Sequence, residues 1–198
     1  LYPPIKTNYR GKQIYAMGAP SGGGIVVLTA LNVLECFQLS QLAPNSARTY
    51  HLIAEALKFA HHNRSKYVGD PSFSDIPYDM LLSKKLACKK AKEINLTEAS
   101  SPKKTARTGN KINDSYKESK DTTHYSIVDK EGNAVSVTYT LGYSFGSGVT
   151  IPGTGILTNN QMNNFAHNYE ITDSYYRSSS PANKLEPLKR PMSTMTPV

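Results

Sequence analysis

DTTHYSIVDKEGNAVSVTYT, residues 121–140, holds the densest β pattern in the chain and decides how its second half folds. Two alternating runs rich in β-branched residues flank a polar turn with Gly132 and Asn133, which predicts an antiparallel hairpin with a loop of three to five residues. With the turn centred on Glu131, Thr122 would lie opposite Thr140, and directly opposed residues are about 5 Å apart at Cβ. Two hydroxyl groups would then lie side by side, although threonine is also common in strands that have no functional role.

Other segments add a resemblance to a known family. They are PSGGG at 20–24, NRSKYVGDP at 63–71, GILTNNQM at 155–162 and KRPMSTM at 189–195. Together with the hairpin, and in this order, they resemble segments of the γ-glutamyltranspeptidases, also called glutathione hydrolases, whose small subunit begins with a sequence like that of residues 122–140. The resemblance weakens only between about residues 82 and 120. It implies an N-terminal-nucleophile hydrolase, made as one precursor that cuts itself before a threonine.

The fold and the division of the chain follow from this resemblance. Helical patterns early and paired strands late agree with an α+β fold, the αββα sandwich of the N-terminal-nucleophile hydrolases, incomplete in this chain. Residues 1–121 would be the C-terminal part of the large subunit, and residues 122–198 the N-terminal part of the small, catalytic subunit. We expect an internal piece of a longer precursor, without a visible leader or membrane span. The resemblance implies a periplasmic, secreted or outward-facing membrane-anchored protein.

Apolar residues at helical spacing predict helices in the first half of the chain. Two lie within residues 25–39 and 47–61, the second with Ser46 as its N-cap, and a third, shorter helix is expected around residues 78–92. Three glycines precede the first helix without a phosphate-loop or dinucleotide fingerprint. They therefore indicate close packing of the helix start against neighbouring backbone.

The positive charge is concentrated in one segment. The chain has a formal net charge of +8, and residues 84–120 hold eleven Lys or Arg against four Asp or Glu, a net +7. This composition is typical of a solvated linker, which we place at about 96–121, before the cleavage point. A nucleic-acid-binding domain would also need a recognisable fold or an aromatic platform. The sequence has neither, so we expect no nucleic-acid partner.

The cysteines and histidines predict no metal site. Cys36 and Cys88 are too few for a disulfide scaffold and lack metal-ligand spacing, and Cys36 is expected to be a core thiol. His61 and His62 are adjacent, so their rings point apart on a helix. No cofactor is called for. Arg64 and Asp70 are expected to form an internal ion pair.

The catalytic residues are those that the resemblance assigns. It implies cleavage between Asp121 and Thr122, after which Thr122 carries a hydroxyl nucleophile and an α-amine whose pKa near 8 lets it accept the hydroxyl proton. The reaction would be γ-glutamyl transfer or hydrolysis through a threonyl ester. Its substrates would be glutathione and other γ-glutamyl compounds, with water, an amino acid or a peptide as acceptor. Thr140 matches the threonine that hydrogen-bonds to the nucleophile.

The substrate-binding residues come from the same motif matches. Gln161 matches a residue that holds the substrate's α-amino end. Ser193 and Thr194 match a pair that grips its α-carboxylate, and Tyr175 matches a lid tyrosine of some bacterial members. Asn164 stands where the family usually has an Asp that pairs with the substrate ammonium.

Two positions depart from the family pattern. The neutral amide of Asn164 would lose a charge-assisted bond of about 1.5–3 kcal/mol, and Gly142 stands where many members have an Asn that contacts the α-carboxylate. These departures leave two alternatives open, a weaker transpeptidase and an acylase for glutaryl-type amides. A non-catalytic remnant is the other alternative, because the family's substrate-binding arginine and oxyanion-hole glycines lie outside this chain.

Overall fold

The computed structural model describes residues 2–100, 122–166 and 180–198. Within these ranges the elements are β1 (Ile5–Tyr9), β2 (Lys12–Ala16), α1 (Gly23–Leu34), α2 (Ala47–Tyr67), α3 (Tyr78–Leu81), α4 (Lys84–Lys92), β3 (Thr122–Val128) and β4 (Ala134–Thr140). Strands β1 and β2 form one antiparallel hairpin, and β3 and β4 form another. The chain thus has the mixed α and β character that the sequence predicts. No helix in the described ranges is long and apolar enough to cross a bilayer.

Helices α1, α2 and α4 form the main core. Val26, Ala30 and Val33 of α1 pack against a stripe of α2 that includes Leu52 and Ala56, and all five side chains are buried. Alanine occupies several of these contacts, also on α4, and small side chains let helix axes approach closely. The apolar stripes predicted for the first two helices are therefore the buried faces.

The helix ends differ from the predicted ones. Helix α1 ends at Leu34, before the predicted 39, because the following N–H groups bond to carbonyls three residues back, as from Cys36 to Val33 at 3.2 Å. Helix α2 runs beyond the predicted 61 to Tyr67. Its N-cap is as predicted, since the Thr49 N–H donates to Ser46 Oγ at 3.2 Å.

The predicted third helix is broken in two at residues 82 and 83. Polar side chains of α1 stabilise the break, because Thr29 Oγ1 donates to the Leu81 carbonyl at 3.1 Å and Asn32 Nδ2 donates to the Leu82 carbonyl at 3.0 Å. Ser83 then caps α4 by accepting the Leu86 N–H at 3.2 Å. The two side-chain hydrogen bonds from α1 satisfy carbonyl groups that the end of α3 would otherwise leave without partners.

A disulfide joins Cys36 and Cys88, so the prediction of a core thiol at Cys36 was wrong. The packing of α1 against α4 brings the two Cα atoms to 5.6 Å, which is within the usual range for disulfides. The two residues are 52 positions apart, and their proximity depends on a helix contact that spacing alone does not show.

The predicted ion pair between Arg64 and Asp70 was also wrong, because Asp70 pairs with Arg190. The Asp70 carboxylate is buried and accepts hydrogen bonds from Arg190 Nε at 2.9 Å and Nη2 at 2.6 Å. It also accepts the Arg190 and Ser72 backbone N–H groups, at 2.8 and 3.0 Å. The bond from Arg190 is the main reason why the pKa of Asp70 lies well below its ordinary value. The pair ties residues 189–195 to the end of α2.

The glycines before α1 provide the close packing that the sequence predicts. A Cβ on Gly24 would lie 2.3 Å from the Met17 carbonyl oxygen, and one on Gly23 would lie 2.5 Å from the Met195 carbonyl oxygen. Real Cβ atoms do not approach backbone so closely. The start of α1 is therefore enclosed by backbone on both sides, including the segment that carries Ser193 and Thr194.

Candidate active site

The hairpin of β3 and β4 has the register that the sequence predicts. Thr122 pairs with Thr140, and Val128 pairs with Ala134. Asp129 shapes the turn, because its Oδ1 accepts the Asn133 N–H at 2.8 Å, and the side-chain bond from Asn133 is the main cause that lowers the pKa of Asp129. The turn fixes which residues share each face of the hairpin, since a slip of one residue would exchange the faces.

Thr122 and Thr140 are directly hydrogen-bonded. Thr122 Oγ1 donates to Thr140 Oγ1 at 3.1 Å, and the Gly142 N–H donates to the same oxygen at 2.9 Å. Thr122 is exposed and Thr140 is partly buried. The first hydroxyl of β3 is therefore held in place by a strand residue and, through it, by the backbone after β4.

The face that carries these two threonines is polar except at its last pair of residues, next to the turn. His124 is on this face, two residues beyond Thr122, and its Nδ1 lies 2.7 Å from Thr138 Oγ1 while its Nε2 lies 3.3 Å from Ser126 Oγ. Sequence reasoning missed His124 as a site residue. The signal was its position, because residues two apart on a strand lie on the same face.

A cluster of side-chain amides lies next to the hydroxyl pair. The Asn160 N–H donates to the Leu141 carbonyl at 2.9 Å, which holds the segment beside the end of β4. Asn164 Nδ2 donates to Gln161 Oε1 at 2.5 Å, so the structure brings these two predicted substrate-binding residues together. Both are partly buried. Their segment, TNNQMNNFA at 158–166, has no charged residue.

Gly142 is the point where the hydroxyl pair meets the amide cluster. Its φ is +97°, a conformation that favours glycine. A Cβ at this position would lie 1.8 Å from Asn160 Oδ1. The side chain of Asn160 therefore fills the space beside Gly142, a role that sequence reasoning missed.

Ser193 and Thr194 lie on a segment bound to the start of α1. The Ser193 N–H donates to the Pro20 carbonyl at 2.9 Å, and the Ser193 carbonyl accepts the Gly22 N–H at 2.7 Å. Ser193 Oγ also accepts the Met195 N–H at 3.2 Å. Ser193 is partly buried and Thr194 is exposed. Among the described residues neither hydroxyl is hydrogen-bonded to Thr122.

The fully buried Asn183, also missed from the sequence, connects this segment to the amide cluster. Its Nδ2 donates to the Asn164 carbonyl at 2.7 Å, and its Oδ1 accepts the Met192 N–H at 2.8 Å. A run of hydrogen bonds thus leads from the amide cluster to the residue before Ser193. Two predicted site residues, Asp121 and Tyr175, lie outside the described residues.

No group of three His, Cys, Asp or Glu side chains within the described ranges could hold a metal ion. His61 is half-buried, and burial, followed by the charge of Arg64, lowers its pKa. His51 Nε2 lies 2.7 Å from the Asn95 carbonyl. This contact joins α2 to the chain that follows α4.

The chain matches a known protein family along its whole length. The sequence model of the family described as Gamma-glutamyltranspeptidase matches residues 1–198. The chain belongs to the gamma-glutamyltranspeptidase family. A glutathione hydrolase proenzyme of Escherichia coli strain K12 is 43% identical over 194 residues, which are 98% of this chain and 33% of that protein. An acylase ACY 1 proenzyme of Pseudomonas sp. strain SE83 is 38% identical over 165 residues, which are 83% of this chain and 28% of that protein.

The gamma-glutamyltranspeptidase chain also matches a solved structure. The crystal structure of a cephalosporin acylase from Bacillus halodurans is 30% identical and superposes with a TM-score of 0.71 over 98% of this chain and 31% of that chain. The match confirms the predicted fold class, that of an N-terminal-nucleophile hydrolase, incomplete in this chain. The chain spans about a third of the length of these relatives.

Proposed function

We propose that the protein catalyses γ-glutamyl transfer and hydrolysis, with Thr122 as the nucleophile after cleavage between Asp121 and Thr122. Its substrates would be glutathione and other small γ-glutamyl compounds, and the acceptor would be water, an amino acid or a peptide. The observation that carries the proposal is the hydrogen bond between Thr122 Oγ1 and Thr140 Oγ1 at the start of β3. Membership of the gamma-glutamyltranspeptidase family supports the substrate class.

In the proposed self-cleavage, Thr122 Oγ attacks the carbonyl carbon of Asp121, the C–N bond between the two residues breaks, and the hydroxyl proton passes to the nitrogen. An ester between Asp121 and Thr122 Oγ replaces the peptide bond. Water then hydrolyses that ester, which releases the Asp121 carboxylate and leaves the free α-amine of Thr122. Thr122 is exposed on the hairpin, and this exposure supports access to its hydroxyl.

In the proposed turnover, the α-amine takes the hydroxyl proton while Oγ attacks the γ-carbonyl carbon of the substrate. The C–N bond of the amide breaks and the departing amine leaves with a proton. Water or an acceptor amine then attacks the γ-glutamyl ester on Thr122, its C–Oγ bond breaks, and the α-amine passes the proton that the attacking group loses to Oγ. Thr140, held by the Gly142 N–H, would orient the Thr122 hydroxyl throughout.

We further propose that residues 1–121 and 122–198 belong to the large and small subunits of one precursor. Contacts between the two ranges support their staying together after the cut. They include the Gly22–Ser193 backbone bond at 2.7 Å and the pair of Asp70 with Arg190. The disulfide of Cys36 with Cys88 supports an oxidising compartment outside the cytosol, where such bonds persist.

Mass spectrometry of the purified protein tests the cleavage. We expect two chains divided before Thr122, and a single uncut chain from Thr122→Ala. Thr122→Ser should retain cleavage, because it keeps the hydroxyl. A Thr122→Ala variant that is cut like the parent, or that hydrolyses a γ-glutamyl anilide at the parental rate, would contradict the proposal.

A second candidate function is an acylase for glutaryl-type amides. It is favoured by Asn164, a neutral side chain bonded to Gln161 in a segment without charge. A carboxylate at this position would pair with a substrate ammonium, whereas an amide gives up that charge-assisted bond, about 1.5–3 kcal/mol. Two of the similar proteins are named acylases.

Side-by-side hydrolysis of γ-glutamyl and glutaryl anilides separates the two functions. Restoring a carboxylate with Asn164→Asp should raise the preference for the γ-glutamyl compound about ten- to a hundredfold. The neighbouring Asn163→Asp serves as the matched control. A parent protein that strongly prefers the γ-glutamyl anilide would exclude the acylase.

A further inference from the structure

Gly142 and the side chain of Asn160 border the same small space, beside the hydroxyl groups of Thr122 and Thr140. An added Cβ at Gly142 would lie 1.8 Å from Asn160 Oδ1 and 3.0 Å from Asn160 Cγ. The backbone bond from the Asn160 N–H to the Leu141 carbonyl, at 2.9 Å, keeps the two segments at this separation. In this chain the side chain of Asn160 occupies this space, and a side chain at position 142 would displace it.

The amide group of Asn160 is available to a ligand. Its side chain is partly buried, and within the described parts of the chain no hydrogen bond to its Oδ1 or Nδ2 is present. Partly buried amides usually find a partner. Asn160 is next to Gln161 and beside Gly142, whose N–H shares Thr140 Oγ1 with Thr122.

We propose that Asn160 determines substrate specificity, by donating its Nδ2–H to a carboxylate at the far end of the acyl group. This inference rests on the proposed function, in which that acyl group is esterified to Thr122. The uncharged segment 158–166 favours this proposal. It has no carboxylate that would repel the carboxylate of the ligand. The ligand class is an acyl chain that ends in a carboxylate, which includes both γ-glutamyl and glutaryl groups.

Three anilides that differ only in their acyl group test the inference on the complete protein. The γ-glutamyl and glutaryl anilides have the carboxylate, and the pentanoyl anilide has the same chain length without it. For Asn160→Ala we expect KM for the first two to rise about ten- to a hundredfold with little change in kcat, since a hydrogen bond to a charged group is lost. The kcat/KM for the pentanoyl compound should not change.

Two further variants sharpen the result. Asn160→Asp should lower kcat/KM for the carboxylate substrates more than Asn160→Ala does, because like charges repel. Asn163→Ala, in the same turn, is the matched control and should behave as the parent. Cleavage before Thr122 reports folding, and Asn160→Ser replaces the alanine variant if that variant does not accumulate.

The outcomes are distinguishable. An equal effect of Asn160→Ala on all three anilides, or no effect on any, would overturn the role of Asn160 while leaving the proposed reaction in place. A parent protein that hydrolyses none of the three would overturn the proposed reaction itself, and the specificity role with it.

Discussion

Replacing Arg190 with methionine should lower the free energy of unfolding by about 2–3 kcal/mol. Asp70 is 1% exposed and accepts two hydrogen bonds from the guanidinium group. Breaking a buried pair by removing one partner costs about 3–5 kcal/mol, because the other charge stays buried without compensation. The Arg190 side chain is 44% exposed, and solvent screening weakens such a pair. The Arg190 and Ser72 N–H groups still bind the carboxylate, so we place the expected loss below that range.

Urea unfolding in a Thr122→Ala background measures this loss on a single uncut chain. Lys184→Met is the matched control, since Lys184 is an exposed cation of the same segment, and it should change the free energy of unfolding by less than about 0.5 kcal/mol. Arg190→Lys should be intermediate, because an ammonium lacks the planar fork that binds a carboxylate twice.

The same variant changes the response to acid. The pKa of Asp70 in the folded protein is lowered, first by the Arg190 side chain, from an ordinary value of 3.8. The unfolded chain therefore takes up the proton first as the pH falls, so this contribution is present above pH 3.8 and is lost below it. Arg190→Met should flatten the decline in stability below that pH. A variant as stable as the parent, with the same acid profile, would refute the reasoning.

Three further predictions address the site and the core. Thr140→Val should lower kcat/KM about tenfold, because the hydrogen bond to Thr122 is lost. Thr123→Val, on the opposite face of the hairpin, is the control, and anilide hydrolysis measures kcat/KM for both variants. Replacing both cysteines with alanine should lower the free energy of unfolding by about 4 kcal/mol, as loop closure over some 50 residues predicts; denaturant unfolding with and without reductant checks this. Gly24→Ala should destabilise by about 1–3 kcal/mol, because its methyl group would lie 2.3 Å from the Met17 carbonyl oxygen; a melting temperature equal to that of the parent would contradict it.

The hairpin was predictable because its signals are local. Alternation fixes which residues share a face, and the turn fixes the register, so the pairing of Thr122 with Thr140 followed from counting. The Ser46 cap and the buried stripe of α2 followed in the same way from helical spacing.

The interactions missed from the sequence are those between distant parts of the chain. Asp70 and Arg190 are 120 residues apart, and nothing near Asp70 distinguishes Arg190 from the closer Arg64. The break at residues 82 and 83 depends on side chains that α1 provides from some 50 residues away. Asn160 was missed because the role proposed for it depends on the absent side chain of Gly142.

Under the proposed mechanism, the register of β3 and β4 would make cleavage depend on correct pairing of the two strands. Thr122 meets Thr140 only after the two strands have zipped in the correct alignment, and a shift by one residue turns the hydroxyl to the other side. Under the proposed mechanism, copies of the chain that pair their strands wrongly would stay uncut. The fraction of cleaved chains in a cell would then equal the fraction of chains that have paired these strands correctly.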